Sequence, residues 1–142
     1  MPFLPVFLLA ALLGAGGLVH AQTPRSAAPA GAQLYFIEPS DGATVGQTFT
    51  VKFGLAGMGV APAGVDLPET GHHHLLVDVE QLPAMDQPLP TSDQVRHFGK
   101  GQTETRISLP AGRHSLQLLL GDKNHVPLDP PVISEKISVT VE

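Results

Sequence analysis

Phe49, Val51, Phe53 and Leu55 alternate with Thr48, Thr50, Lys52 and Gly54. A period of two places one apolar face on an extended strand. The same alternation recurs along the chain. Leu34–Glu38 reads as a first short strand, stopped by Pro39-Ser40-Asp41-Gly42. His73, Leu75, Val77 and Val79 share one parity, and His72, His74, Leu76 and Asp78 the other. Thr105, Ile107 and Leu109 alternate with Glu104, Arg106 and Ser108, and Pro110-Ala111-Gly112 makes a turn. His114, Leu116, Leu118 and Leu120 then alternate with Arg113, Ser115, Gln117 and Leu119, and Ile137, Val139 and Val141 form a last apolar face. Between these runs lie Gly- and Pro-bearing loops at 57–71, 83–94 and 121–131.

Helical periodicity is nearly absent. Six to seven short strands at close spacing predict an all-β fold, a small antiparallel Ig-like β-sandwich, with a jelly roll or barrel as the alternative. Phe49, Val51, Phe53, Leu75, Val77, Ile107, Leu116, Leu118, Val139 and Val141 are the expected core, and the loops 57–71 and 83–94 are expected at the surface.

The first residues differ from the rest. Residues 3–19 carry no charge and are mostly Leu, Ala, Val and Phe, followed by Val19-His20-Ala21. That is the pattern of a secretory signal spanning 1–21, cleaved after Ala21, and it places the protein in the periplasm or outside the cell. Pro5 and three glycines interrupt a segment already short for a bilayer span, so no stable membrane insertion is expected after cleavage. Residues 22–32, Q-T-P-R-S-A-A-P-A-G-A, read as a disordered linker, leaving 33–142 as one domain.

The chain has no cysteine, so its stability rests on packing alone. Eight basic against 13 acidic residues give a net charge of -5. An acidic chain without a basic patch argues against nucleic acid, whose binding depends on phosphate neutralisation.

Seven histidines remain to be explained, three of them consecutive in T-G-H-H-H-L-L-V-D. On a strand His72 and His74 project together, roughly 6.6 Å apart along the chain, on the face opposite Leu75 and Val77. That face is expected outside the core, and the pair forms a clamp suited to Cu²⁺ or Zn²⁺. His97, His114 and His125 are the candidates to complete a site. His73 lies on the core parity, expected to end the core with a hydrogen bond to backbone, and His114 shares that parity and has a route to it across the sheet rim. Asp78, Glu104 and Asp122 are the carboxylates placed to serve as extra ligands or to orient an imidazole, with His73 as a further candidate for the orienting role. Met1 lies in the signal segment, and Met58 and Met85 are isolated in separate loops, which does not suit a Cu⁺ thioether site. Neutral imidazole is the ligand, so binding is expected to weaken as pH falls through about 6.

No catalytic set is identified. There is no cysteine, no serine elbow and no phosphate-binding loop leading into a helix. The alternative to metal binding is a cell-envelope module that binds protein or glycan through its loops, with the histidines serving only to order them.

The segments Gly71-His72-His73-His74-Leu75, His97-Phe98-Gly99-Lys100-Gly101-Gln102-Thr103-Glu104, Gly112-Arg113-His114 with Leu116-Gln117-Leu118, Gly121-Asp122 with His125 and Pro127, and Pro130-Pro131-Val132 before Ser134 together resemble a bacterial exported family, domain of unknown function 4399. The resemblance covers about residues 34–142. It implies a small exported β-rich domain without assigning an activity. The family pattern often carries a further histidine shortly after the proline matched by Pro127; here Leu128 stands in that place.

Overall fold

The computed structural model describes residues 24–142, together with Met1 and Gly17. The expected signal segment 1–21 otherwise lies outside the described residues, as do Gln22 and Thr23. The strands are β1 (Gln33–Glu38), β2 (Thr44–Val45), β3 (Thr48–Ala56), β4 (Gly59–Val60), β5 (Thr70–Val77), β6 (Val95–His97), β7 (Glu104–Ser108), β8 (Gly112–Gly121) and β9 (Ile137–Val141). Three of the nine, β2, β4 and β6, are only two or three residues long, too short to read from alternation.

One sheet runs β1-β3-β7, and the second runs β2-β9-β8-β5-β4 with β6 beside β5. The pairings are antiparallel except for the short β2–β9 and β4–β5 contacts, which are parallel. This is the expected all-β sandwich. The main core holds all ten residues expected there, with Leu34, Phe98, Leu109, Leu120, Leu128, Val132 and Ile137 added. Val51, Leu75, Leu116 and Leu118 are fully buried. Each such side chain contributes about 1.5–3 kcal/mol over its exposed state.

Around β5 and the C-terminal end of β8 the larger sheet is buried on both faces, which alternation did not reveal. From Gly71 to Val77 every residue of β5 is buried. The face turned away from the main core carries a second apolar cluster, Leu76, Leu89, Val95 and Leu119, with Val79, Met85 and Ile133 against it. Loops provide the cover. Leu89 comes from the 83–94 loop, which is otherwise mostly exposed and is tied down by Leu89 N–H donating to His125 O at 2.9 Å. Residues 132–134 run along β8, with Leu120 N–H bonded to Val132 O and Ser134 N–H to Leu118 O.

The stretch expected as a disordered linker is held in place in its described part. Ala27 bridges Asp129, Ala28 N–H donates to Asp129 O, and Asp129 N–H donates to Ser26 O. Arg25 adds hydrogen bonds to the carbonyls of Pro127 and Leu128. A small, Pro-bearing composition reads as linker, but here its backbone groups find partners on a distant loop. No helix among the described residues is long and apolar enough to cross a membrane.

Candidate metal centre

The register of the second sheet builds the site. His72 pairs with Gly121 and His74 with Leu119 across β5 and β8, while His74 pairs with His97 across β5 and β6. Paired residues share a face, so His72, His74 and His97 project together on the loop-covered side. His125 arrives from the loop after β8. One nitrogen from each of these four histidines lies within 4.8 Å of the others. Ring centroids are 4.7 Å apart for His72 and His74, 5.2 Å for His74 and His97, 4.5 Å for His97 and His125, and 4.9 Å for His72 and His125.

Two glycines give the rings room. A Cβ at residue 121 would lie 2.7 Å from His74 Cε1, and one at residue 99 would lie 2.4 Å from His97 Cε1. Both glycines stand in the motifs that carry the family resemblance, but nothing in the chain order says which ring each one faces.

His72 and His74 do not lie on an open face, as sequence alternation implied. They are 0% and 1% exposed. Burial, followed by repulsion from neighbouring imidazoles, lowers His72 from 6.5 to about 4 and His74 to about 3. Burial lowers His97 as well, with His125 adding to the shift. His72 and His74 therefore stay neutral, with lone pairs free for a cation, far below the pH near 6 expected for exposed imidazole. His97 and His125 are half-buried and form the solvent side of the cluster.

One side-chain hydrogen bond joins two imidazoles of the cluster: His72 Nε2 and His125 Nδ1 are 3.1 Å apart. His72 Nδ1, His74 Nδ1 and His97 Nε2 are buried without any partner. Such groups are rare in folded proteins, because each has lost water and gained nothing.

The remaining candidates lie elsewhere. His114 sits at the far end of β8. Leu120 faces His73, and β8 then runs antiparallel to β5, which carries His114 roughly 20 Å away. His114 Nδ1 contacts Asp78 Oδ2 at 2.7 Å and its Nε2 contacts Pro110 O at 2.8 Å. That hydrogen bond to Asp78 raises its pKa. His73 turns to the main core, its ring against Phe53 at 4.9 Å. Neither of its nitrogens has the expected hydrogen bond to backbone. Burial lowers its pKa to about 4. Glu104 is exposed on the smaller sheet, opposite Lys52. Asp122 is the one carboxylate candidate at the cluster, 3% exposed and at the base of the His125 loop.

Fold and cluster together define a β-sandwich protein with four converging histidines that could hold a metal ion. The chain belongs to the family described as Domain of unknown function (DUF4399), whose model matches residues 51–142 and so spans the four histidines. No curated protein matches the chain. Among solved structures, the endo-beta-1,4-mannanase from Thermotoga petrophila is similar at a TM-score of 0.46 and 19% identity, over 78% of this chain and 20% of that one. The chain thus spans about a fifth of that enzyme's length.

Proposed function

We propose that this is an exported metal-binding domain that takes Cu²⁺ or Zn²⁺ through His72, His74, His97 and His125. The observation that carries the reading is the set of buried nitrogens without partners inside a group whose donor atoms lie within 4.8 Å of one another. A cation satisfies several orphaned lone pairs at once. Four imidazoles on a zinc ion, at about 2.0–2.1 Å each, stand roughly 3.3 Å from one another. One nitrogen of each histidine already lies within 4.8 Å of the others, so the widest pair would close by roughly 1.5 Å to reach that edge. An all-imidazole donor set without thiolate or thioether suits Cu²⁺ and Zn²⁺ rather than Cu⁺.

Export is supported by the uncharged apolar segment at residues 3–19 and the small residues ending at Ala21. Imidazole ligation without cysteine is compatible with an oxidising compartment. A binding module with purely structural histidines would have no need to gather four of them around one point.

Calorimetric titration of tag-free protein with Cu²⁺ and Zn²⁺ tests the reading. Binding tighter than roughly micromolar, about -8 kcal/mol, is expected for at least one ion. Failure of both ions to reach that affinity would leave the histidines as loop-ordering residues of a binding module.

A further inference from the structure

His125 is the ligand candidate with the least regular support. It lies in a loop rather than on a strand, and its φ is 65°, a conformation uncommon outside glycine. Something must hold it there, and the hydrogen bonds identify Asp122. Asp122 Oδ1 accepts from Asn124 N–H at 2.8 Å and from Val126 N–H at 3.1 Å. Asp122 O accepts from His125 N–H, and Asp122 N–H donates to Val126 O, both at 2.9 Å. These four bonds close residues 122–126 into one tight loop.

The second carboxylate oxygen looks the other way. Asp122 Oδ2 accepts from Ser26 Oγ at 2.9 Å. Ser26 belongs to the N-terminal strap that is bonded to Pro127, Leu128 and Asp129, just beyond His125. The strap therefore holds the His125 loop at both of its ends, through Asp122 and through residues 127–129.

We infer that Asp122, clamped by Ser26, is the positioning residue that keeps His125 in ligating position, so that metal affinity depends on a strap some 100 residues away in sequence. The inference rests on the metal reading proposed above. A carboxylate suits the task because it takes two amide donors on one oxygen and a hydroxyl on the other. Asparagine keeps the oxygen that closes the loop, whereas alanine keeps neither.

Cu²⁺ titration of tag-free protein, with electron paramagnetic resonance to count coordinated nitrogens, provides the test. Loss of an orienting partner weakens metal binding by roughly 10–100-fold. Asp122→Ala should show that loss together with one fewer imidazole on the ion, Asp122→Asn should stay near the parent, and Ser26→Ala should fall between. Because Asp122 acts through His125, Asp122→Ala should add nothing in a His125→Ala background. An Asp122→Ala loss that persists in that background overturns the inference, as does parental affinity in a folded Asp122→Ala protein. If Asp122→Ala does not fold, Ser26→Ala decides, and parental affinity there removes the strap from the site. A parent that binds no Cu²⁺ is a different failure, since it rejects the metal reading itself and the inference with it.

Discussion

Gly121 lies directly beneath His74: a Cβ on the glycine would come within 2.7 Å of the imidazole Cε1 and 3.3 Å of His125 Cα. The missing side chain thus leaves the space taken by the His74 ring and the His125 backbone. Gly121→Ala should displace the His74 ring or the His125 loop. Overpacking of this kind costs about 1–3 kcal/mol. Chemical denaturation of the metal-free protein measures that cost, and the same variant should bind metal more weakly than the parent.

Because His72 and His74 are buried, alanine at either site leaves a cavity and confuses ligand loss with destabilisation. His97 and His125 are the cleaner targets. His97→Ala and His125→Ala should each abolish most of the metal-dependent rise in melting temperature while changing metal-free stability by about 1 kcal/mol or less. Thermal scans with and without Cu²⁺ or Zn²⁺ check this. Full retention of the metal-dependent shift in both variants would remove them from the site.

The metal-free protein should lose stability as pH falls below about 6.5. His72, His73 and His74 have folded pKa values lowered to about 4, 4 and 3. The unfolded chain therefore binds protons first, and below its pKa of about 6.5 the balance shifts toward unfolding. Each histidine contributes a slope of about 1.4 kcal/mol per pH unit, ending near its folded pKa. His114 acts in the opposite direction: its pKa is raised, so its contribution is present at low pH and fades as pH rises through the folded value. Urea midpoints between pH 4 and 8 should fall toward acid, and a flat profile would contradict the burial of the three consecutive histidines.

His73 offers a separate test of buried polarity. Both of its ring nitrogens lack partners inside the main core. Replacing such a group by an apolar one of similar size is close to neutral or stabilising. His73→Leu should leave stability unchanged or raise it by about 1 kcal/mol, flatten the acid side of the pH profile and spare metal binding. A loss of several kcal/mol would show that the imidazole has a partner in solution.

The His114–Asp78 pair should matter for stability alone. Asp78 has φ 53° and its carboxylate accepts both from His114 and from Ser115 N–H. Asp78→Ala should cost about 1–3 kcal/mol and leave metal affinity untouched, as judged by paired denaturation and titration.

Alternation made Val51, Leu75, Leu118 and their neighbours legible as one core, because a period of two needs only local sequence. It misread the face of Leu76 and Leu119 as outward, since their cover comes from Leu89 and Ile133 in distant loops. It likewise brought His72 and His74 together by parity but carried no register. Only pairing across the sheet sets His97 beside His74 and sends His114 to the opposite end. Asp122 was visible as a carboxylate near a histidine, whereas Ser26, in what composition described as a linker, gave no local signal.

The three-residue strand that carries His97 is bonded on one side only, to β5, at the edge of its sheet. Short edge elements open more often than the core they border, with little free energy needed. Opening of β6 would carry His97 away together with buried Val95, while His72 and His74 would stay in the sheet interior. Exchange of a bound ion would then be timed by the fraying of Val95–His97 rather than by the strength of the coordinate bonds. In a domain with this layout, an ion held by all four histidines would be released on the timescale of that local opening.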